Sequence, residues 1–224
     1  MATSSPEPAY RWVIVFAAAA MLGISMGFLV NGLSVFFLPL EAEFSASRAD
    51  IALINSFGLV GIALGGIIVG IVADRTDIRR IAVIASLVIG ATTLAASWAT
   101  ALWQLYAPCF LAGLFGGGAL FAPLIALVGS WFRVGAGLAI GIASAGHGVG
   151  EGAVPFGAGF LIEGLGWRGA MAALGLITLA TLLPLALLMR RPPAPAANAS
   201  TVEEEPGLPT PPIVAGMSVA VVGC

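Results

Sequence analysis

Gly65-Gly66-Ile67-Ile68-Val69-Gly70-Ile71-Val72-Ala73-Asp74-Arg75-Thr76-Asp77-Ile78-Arg79-Arg80 is the stretch on which the reading of this chain turns. No ionised side chain lies between Ile51 and Ala73. Asp74, Arg75, Asp77, Arg79 and Arg80 then crowd together, and the apolar pattern resumes at once and runs to Trp98. A helix rising about 1.5 Å per residue needs about 20 residues to cross about 30 Å of hydrocarbon. Two apolar segments of that size, joined by so short a charged hinge, predict a transmembrane hairpin.

Composition supports that reading along the whole chain. Of 224 residues, 59% are hydrophobic and 9% charged, and mean hydropathy is +1.05, a balance that a water-soluble domain of this length does not sustain. The apolar blocks outrun the roughly 10 residues of a barrel strand and do not alternate, so helices that satisfy their own backbone in lipid are expected. The formal net charge of −2 comes with no basic tract, and no nucleic-acid partner is expected. Cys109 and Cys224 form neither a disulfide framework nor a metal-ligand spacing. There is also no Ser/His/Asp arrangement and no cofactor loop. An enzyme, a metal and a cofactor are therefore not expected.

Working outward, residues 1–10 form a polar tail with Pro6 and Pro8. The first apolar run then extends from Arg11 to Leu40. Val13–Ser25 alone would suit a signal-peptide core, but the run continues past it, so a retained first span is expected rather than a cleaved signal. Glu41 to Asp50 is a polar connection in which Ser47 or Asp50 is placed to cap the next helix. Further spans are expected at roughly 50–73, 80–98, 102–129, 136–162 and 169–189. Pro155 and Pro184 are expected to kink the last two or to release carbonyls there. With the N-terminus inside, Arg11, Arg75, Arg79, Arg80, Arg133, Arg190 and Arg191 are cytoplasmic, and only Arg48 and Arg168 face out. That assignment satisfies the positive-inside rule and predicts two cytoplasmic termini. From Pro192 the chain is rich in proline and glutamate and reads as a solvated cytoplasmic linker over 192–224. Its last apolar piece, Ile213 to Val222, is too short to span. Asn198-Ala199-Ser200, a formal glycosylation acceptor, is read there as chance.

The pattern Gly-x-x-x-Asp-Arg-x-x-x-Arg-Arg over Gly70 to Arg80 resembles the loop between the second and third helices of the major facilitator superfamily of transporters. Gly32-Leu33-Ser34-Val35-Phe36-Phe37-Leu38-Pro39-Leu40-Glu41-Ala42-Glu43-Phe44, with Ser47-Arg48-Ala49-Asp50-Ile51 after it, is similar to the first helix and first outer loop of the monocarboxylate and oxalate-type branch. Trp131-Phe132-Arg133 followed by Gly137 to Gly150 resembles that branch's fifth-helix signature. Gly166-Trp167-Arg168-Gly169-Ala170 resembles the turn that opens its sixth helix. Drug antiporters carry an arginine where Cys109 stands, four residues before Gly113, and a Gly-Pro pair where Val154 precedes Pro155; both departures favour an organic-anion carrier.

The resemblance covers 11–191 and implies an all-helical, six-span bundle of two inverted three-helix repeats, half of a twelve-helix fold. The implied activity is alternating-access secondary transport of a small organic anion, monocarboxylate-like, in symport with a proton at an inner or plasma membrane. On this reading the chain is an amino-terminal half that stops in the lead-in to a seventh helix, so its implied partners, besides the lipid bilayer, are a carboxyl-terminal six-helix half or a second copy of itself. The competing expectation is a truncated or inactive half that serves only as a membrane assembly partner.

Several residues are candidates for the chemistry. The resemblance implies a conformational-switch loop at Gly70, Asp74, Arg75, Arg79 and Arg80, locking one state; the alternative is that these charges anchor a hairpin to headgroups. His147 and Glu151 are four residues apart near the middle of the fifth predicted span and project from one face. Ionised groups at that depth cost about 3 kcal/mol or more, so they are expected to face a cavity or a partner. They read as a proton site or substrate wall, or else as a pair that satisfies itself. Asn31 is a candidate hydrogen-bond donor to a substrate carboxylate or to a neighbouring helix. The pairs Gly61/Gly65, Gly66/Gly70, Gly113/Gly117, Gly137/Gly141 and Gly148/Gly152 have the spacing that lets helices approach closely, or that supplies hinges.

Overall fold

The computed structural model describes residues 9–73, 76–132 and 134–192. Asp74, Arg75, Arg133, the N-terminal tail and the linker beyond Pro192 lie outside the described residues. All regular structure among the described residues is helical, in the order α1 (Tyr10–Met26), a π turn (Gly27–Asn31), a 3-10 turn (Gly32–Phe36), α2 (Phe37–Phe44), α3 (Arg48–Ala73) and α4 (Ile78–Ala96). Then come α5 (Trp103–Gly113), a second π turn (Leu114–Gly118), α6 (Ala119–Ser130) and α7 (Ala136–Leu188). Among the described residues, five helical stretches are long and apolar enough to cross a membrane: Tyr10–Phe44, Arg48–Ile71, Ile78–Ala96, Leu102–Ser130 and Ala136–Leu188.

The helix starts follow from local chemistry. Ser47 Oγ accepts from the Asp50 amide at 3.3 Å while Asp50 Oδ2 accepts from the Ser47 amide at 3.2 Å. This reciprocal capping box opens α3, with both residues that the sequence offered as caps taking part. Asp77 caps α4 by accepting from the Arg79 amide. That cap breaks the apolar run into a hairpin, because a carboxylate at this position satisfies a helix-end donor and favours the start of a new helix.

The 53 residues of α7 are two helices joined at a kink at Gly166, which lies between the spans expected at roughly 136–162 and 169–189. At about 1.5 Å per residue they would reach nearly three membrane thicknesses if straight. They are not straight, because Gly166 has φ 68 and ψ 171, a conformation that only glycine adopts at low cost. The chain reverses there. Ala19 and Gly23 of α1 meet Gly146 and Gly150 in the same order, whereas Gly90 and Leu94 of α4 meet Leu179 and Gly175 in the opposite order. Pro155 and Pro184, expected to kink their helices or to release carbonyls, both lie in backbone that stays helical.

The core has two large buried clusters stacked along the bundle and a small third of Val69, Ile81 and Ala119. One joins Ile14, Met21 and Leu22 to Ile89, Leu124, Trp131 and Leu182 near the arginine-rich end. The other joins Leu29, Phe36, Ile51, Leu105, Trp167 and Met171 toward the opposite end. α1 lies at the centre and packs most extensively on α7.

Glycine makes that crossing possible. A Cβ on Gly23 would stand 2.6 Å from the Gly146 carbonyl oxygen, and one on Gly150 would fall on the backbone of Gly23. Gly61 and Gly65 likewise press on Phe110 and Leu114, and Gly113 on Gly58. The other expected pairs behave differently: a Cβ at Gly66, Gly70, Gly137, Gly141, Gly148 or Gly152 would meet nothing within 4 Å among the described residues. Spacing alone marks a smooth helix face and does not say whether a neighbour lies on it.

Candidate functional site

His147 and Glu151 do come together on α7, with Nε2 and Oε1 3.6 Å apart. Their side chains are 27% and 31% exposed, so the pair looks out of the bundle from the middle of a long apolar helix. The Phe121 ring of α6 meets the imidazole edge-on at 5.9 Å. His147 Nδ1 is buried and has no hydrogen-bond partner among the described residues. The imidazole therefore presents one nitrogen to a carboxylate and keeps the other free of bonds. Such a ring can hold its proton on either nitrogen, and which one carries it sets whether Glu151 faces a donor or an acceptor.

Asn31 closes the first π turn and is exposed. Its side chain makes no hydrogen bond among the described residues; its carbonyl accepts from Ser34 Oγ at 2.6 Å. Because Gly27 lies against Gly150 and Val154, Asn31 sits one turn beyond that crossing, on the helix beside the His147–Glu151 face. The acid and the imidazole are thus brought together on α7, while no contact among the described residues joins Asn31 to them.

The loop candidates lie apart from this pair. Gly70 is exposed near the end of α3, and Arg79 and Arg80 are exposed at the start of α4. Asp74 and Arg75, the loop's other two candidates, lie outside the described residues. What does fix the hairpin is a bond that the sequence did not suggest: Arg191 Nη2 donates to the Thr76 carbonyl at 2.9 Å.

Three further clusters escape sequence reasoning. At the end remote from Arg79, the Arg168 guanidinium bonds Glu43 and donates at 2.8 Å to the Ala99 carbonyl. It also lies 4.3 Å from the Trp167 ring centroid, while the Trp167 indole N–H donates to the other Glu43 oxygen at 3.4 Å. This clamp ties the end of α2, the turn after α4 and the residues just past Gly166. Nearby, Arg48 pairs with Glu41 at 3.2 Å. At the opposite end, Tyr10 OH donates to the Leu188 carbonyl at 2.7 Å and Trp131 Nε1 to the Arg190 carbonyl at 3.0 Å. The only sequence signal for the first clamp is opposite charge on two loops of the same predicted side. Among the described residues, no group of three or more His, Cys, Asp or Glu side chains is placed to hold a metal ion.

A family model described as the Major Facilitator Superfamily matches residues 11–222. Monocarboxylate transporter 11 of Homo sapiens is 30% identical over 196 residues, which cover 85% of this chain and 41% of that protein. Monocarboxylate transporter 1 of Bos taurus is 28% identical over 206 residues, covering 90% of this chain and 40% of that one. The chain thus spans about four tenths of the length of the curated relatives it matches. The crystal structure of a bacterial homologue of the human lysosomal transporter Spinster, inward-facing and unoccupied, superposes with a TM-score of 0.68. It covers 98% of this chain and 49% of its own at 22% identity, a likeness of fold.

Proposed function

The chain belongs to the Major Facilitator Superfamily, a family of transporters rather than enzymes, and on that footing we propose that it takes part in alternating-access transport of a small organic anion in symport with a proton. The observation that carries this reading is the His147–Glu151 pair: the only ionisable groups between Ala136 and Ile162, in contact at 3.6 Å and partly exposed on a helix of otherwise apolar and small residues. A carboxylate and an imidazole at that depth lower the cost of their charges by sharing a proton or facing a polar cavity. Asn31 supplies an amide for a substrate carboxylate on the adjoining helix. The similarity to proteins named monocarboxylate transporters supports the anion class.

We read the bundle as six passes, with Gly166 as the turn between the fifth and sixth and with the arginine-rich end and both termini on the cytoplasmic side of a cell membrane. The passes then form two inverted three-helix repeats. The domain reading is a tail at 1–10, the six-pass unit at 11–191 and a linker at 192–224. The switch loop comprises Gly70, Asp74, Arg75, Arg79 and Arg80, and its tie to Arg191 lets it report on the end of α7. A complete transport path needs a second helical element against α3 and the first half of α7. That element is a complementary six-helix half or a second copy of this chain, an idea supported by the bare glycines there and by the relatives' length.

The test is uptake of a labelled monocarboxylate into proteoliposomes under an imposed pH gradient, with the chain alone and with a co-expressed carboxyl-terminal half from a relative. H147Q and E151Q are expected to lose gradient-driven uptake at least tenfold while retaining counterflow exchange. Gradient-driven uptake at the unmutated rate in both variants would remove the pair from the mechanism. If the chain gives no uptake in either setting, the assembly-partner reading stands instead.

A further inference from the structure

The two ends of the bundle differ in how several of their arginines are paired, Arg11 aside, whose guanidinium lies 5.0 Å from the Phe132 ring centroid. At one end each arginine has a carboxylate: Arg48 pairs with Glu41, and Arg168 with Glu43. At the other, Arg79, Arg80, Arg190 and Arg191 are all exposed, and none has a carboxylate partner among the described residues. Two adjacent pairs of like charge are brought together there, because Arg191 reaches across to Thr76, three residues before Arg79.

Two of these arginines, Arg190 and Arg191, are tethered. The Arg190 carbonyl is held by the Trp131 indole, and its guanidinium lies 6.0 Å from the Tyr10 ring centroid. Tyr10 and Trp131 pack at 5.8 Å, and Trp12 meets Phe132 edge-on at 5.4 Å. Arg191 spends one donor on Thr76, and a guanidinium carries five, so most of its fork remains for a ligand. Tyr and Trp rings gather at the boundary between hydrocarbon and headgroups. Tyr10 and Trp12, the partly exposed members of this collar, therefore set the Arg190 guanidinium at the level of lipid phosphates, and the Thr76 bond brings Arg191 toward the Arg79 end. A soluble anion would find them no better placed than any other surface charge.

We propose that the rim formed by Arg79, Arg80, Arg190 and Arg191 over the Tyr10/Trp12/Trp131/Phe132 collar is a binding site for the phosphate of an anionic phospholipid. Arginine is suited to this because its planar fork takes two phosphate oxygens at once. The site is separate from the His147–Glu151 pair but shares Arg79 and Arg80 with the proposed switch loop; the lipid ratio reads binding without transport, so its failure and that of the transport reading are distinguishable.

Native mass spectrometry of the purified full chain, released from micelles doped with phosphatidylglycerol or phosphatidylcholine, reads the preference directly as a ratio of apparent affinities. A juxtamembrane arginine contributes about a fivefold factor, so R190Q/R191Q is expected to cut the phosphatidylglycerol preference by about 25-fold and R79Q/R80Q by a similar amount. R48Q, at the other end, is expected to leave it unchanged. Loss of fold lowers both affinities together, so the ratio keeps the result interpretable even for a weakened variant. Raising the salt from about 0.05 to about 0.5 M before release is expected to shrink the preference. A ratio near one in the unmutated chain, a ratio untouched in R190Q/R191Q, or an equal drop in R48Q would each overturn the proposal. Displacement of the lipid by millimolar inorganic phosphate would assign the rim to a soluble anion and overturn it as well.

Discussion

Replacing Gly150 with alanine puts a methyl group where α7 touches α1 backbone to backbone. A Cβ there would fall on the carbonyl oxygen, carbonyl carbon and Cα of Gly23, none of which can rotate aside as a side chain does. The neighbouring contact sets a lower bound: a Cβ on Gly23 lies 2.6 Å from the Gly146 oxygen, against an ordinary contact beginning near 3.4 Å, and a Cβ on Gly150 falls closer still, so the helices must part by more than roughly 0.8 Å. Overpacking of that kind costs about 1–3 kcal/mol. Alanine gains up to about 1 kcal/mol over glycine in helix propensity, and less where the unfolded reference stays helical in detergent. The expected net loss is about 1–2 kcal/mol, a fivefold to 30-fold rise in the unfolding constant. G152A on the same helix meets nothing within 4 Å among the described residues and is expected to be neutral or slightly stabilising. Reversible unfolding by sodium dodecyl sulfate in mixed micelles, followed by tryptophan fluorescence, measures both. The double variant G23A/G150A is expected to cost less than the sum of the two single variants, since helices already forced apart admit the second methyl more easily. Equal stability of G150A and G152A would refute the reasoning.

The same geometry bears on three other perturbations. G166A forces a side chain into φ 68, ψ 171 and is expected to cost about 1–3 kcal/mol in the same titration. R168A leaves the Ala99 carbonyl without its side-chain donor, Glu43 with the Trp167 indole alone, and the Trp167 ring without its cation; lower thermal stability is expected, with R168K recovering only part because an ammonium cannot serve two acceptors in one plane. Cys109, 5% exposed in the core, is expected to resist maleimide in a C224S background until the bundle is unfolded. Labelling of the folded chain within minutes would show that this part of the core is open.

Much of this architecture was legible in the sequence, because lipid imposes a strict length and a strict charge pattern. α3 ends at Ala73, where the apolar run ends, and Ser47 and Asp50 cap the start of that helix as the sequence offered. His147 and Glu151 were legible for the same reason: an acid and an imidazole in an apolar run are conspicuous, and four residues is one turn. Which glycines would touch was not legible. Gly148 and Gly150 look alike in the sequence, but they lie about 200° apart around the helix, so only one can face α1. Nor was the Glu43–Arg168 clamp legible, since it joins residues 125 apart in sequence that only the folded bundle brings together.

The two π turns have a consequence for how the chain tolerates change in length. Gly27–Asn31 interrupts the first pass and Leu114–Gly118 the fourth, each fitting one surplus residue into a turn. An α-helix advances about 100° per residue, so the helix leaving such a turn is rotated by that angle against the helix entering it. A deletion of one codon within 27–31 would leave hydropathy and span length almost untouched while spinning the rest of the pass, through Phe44, away from its neighbours. Insertions and deletions there act as torsion, and they should disturb the bundle far more than equal changes in the polar connection at 45–47.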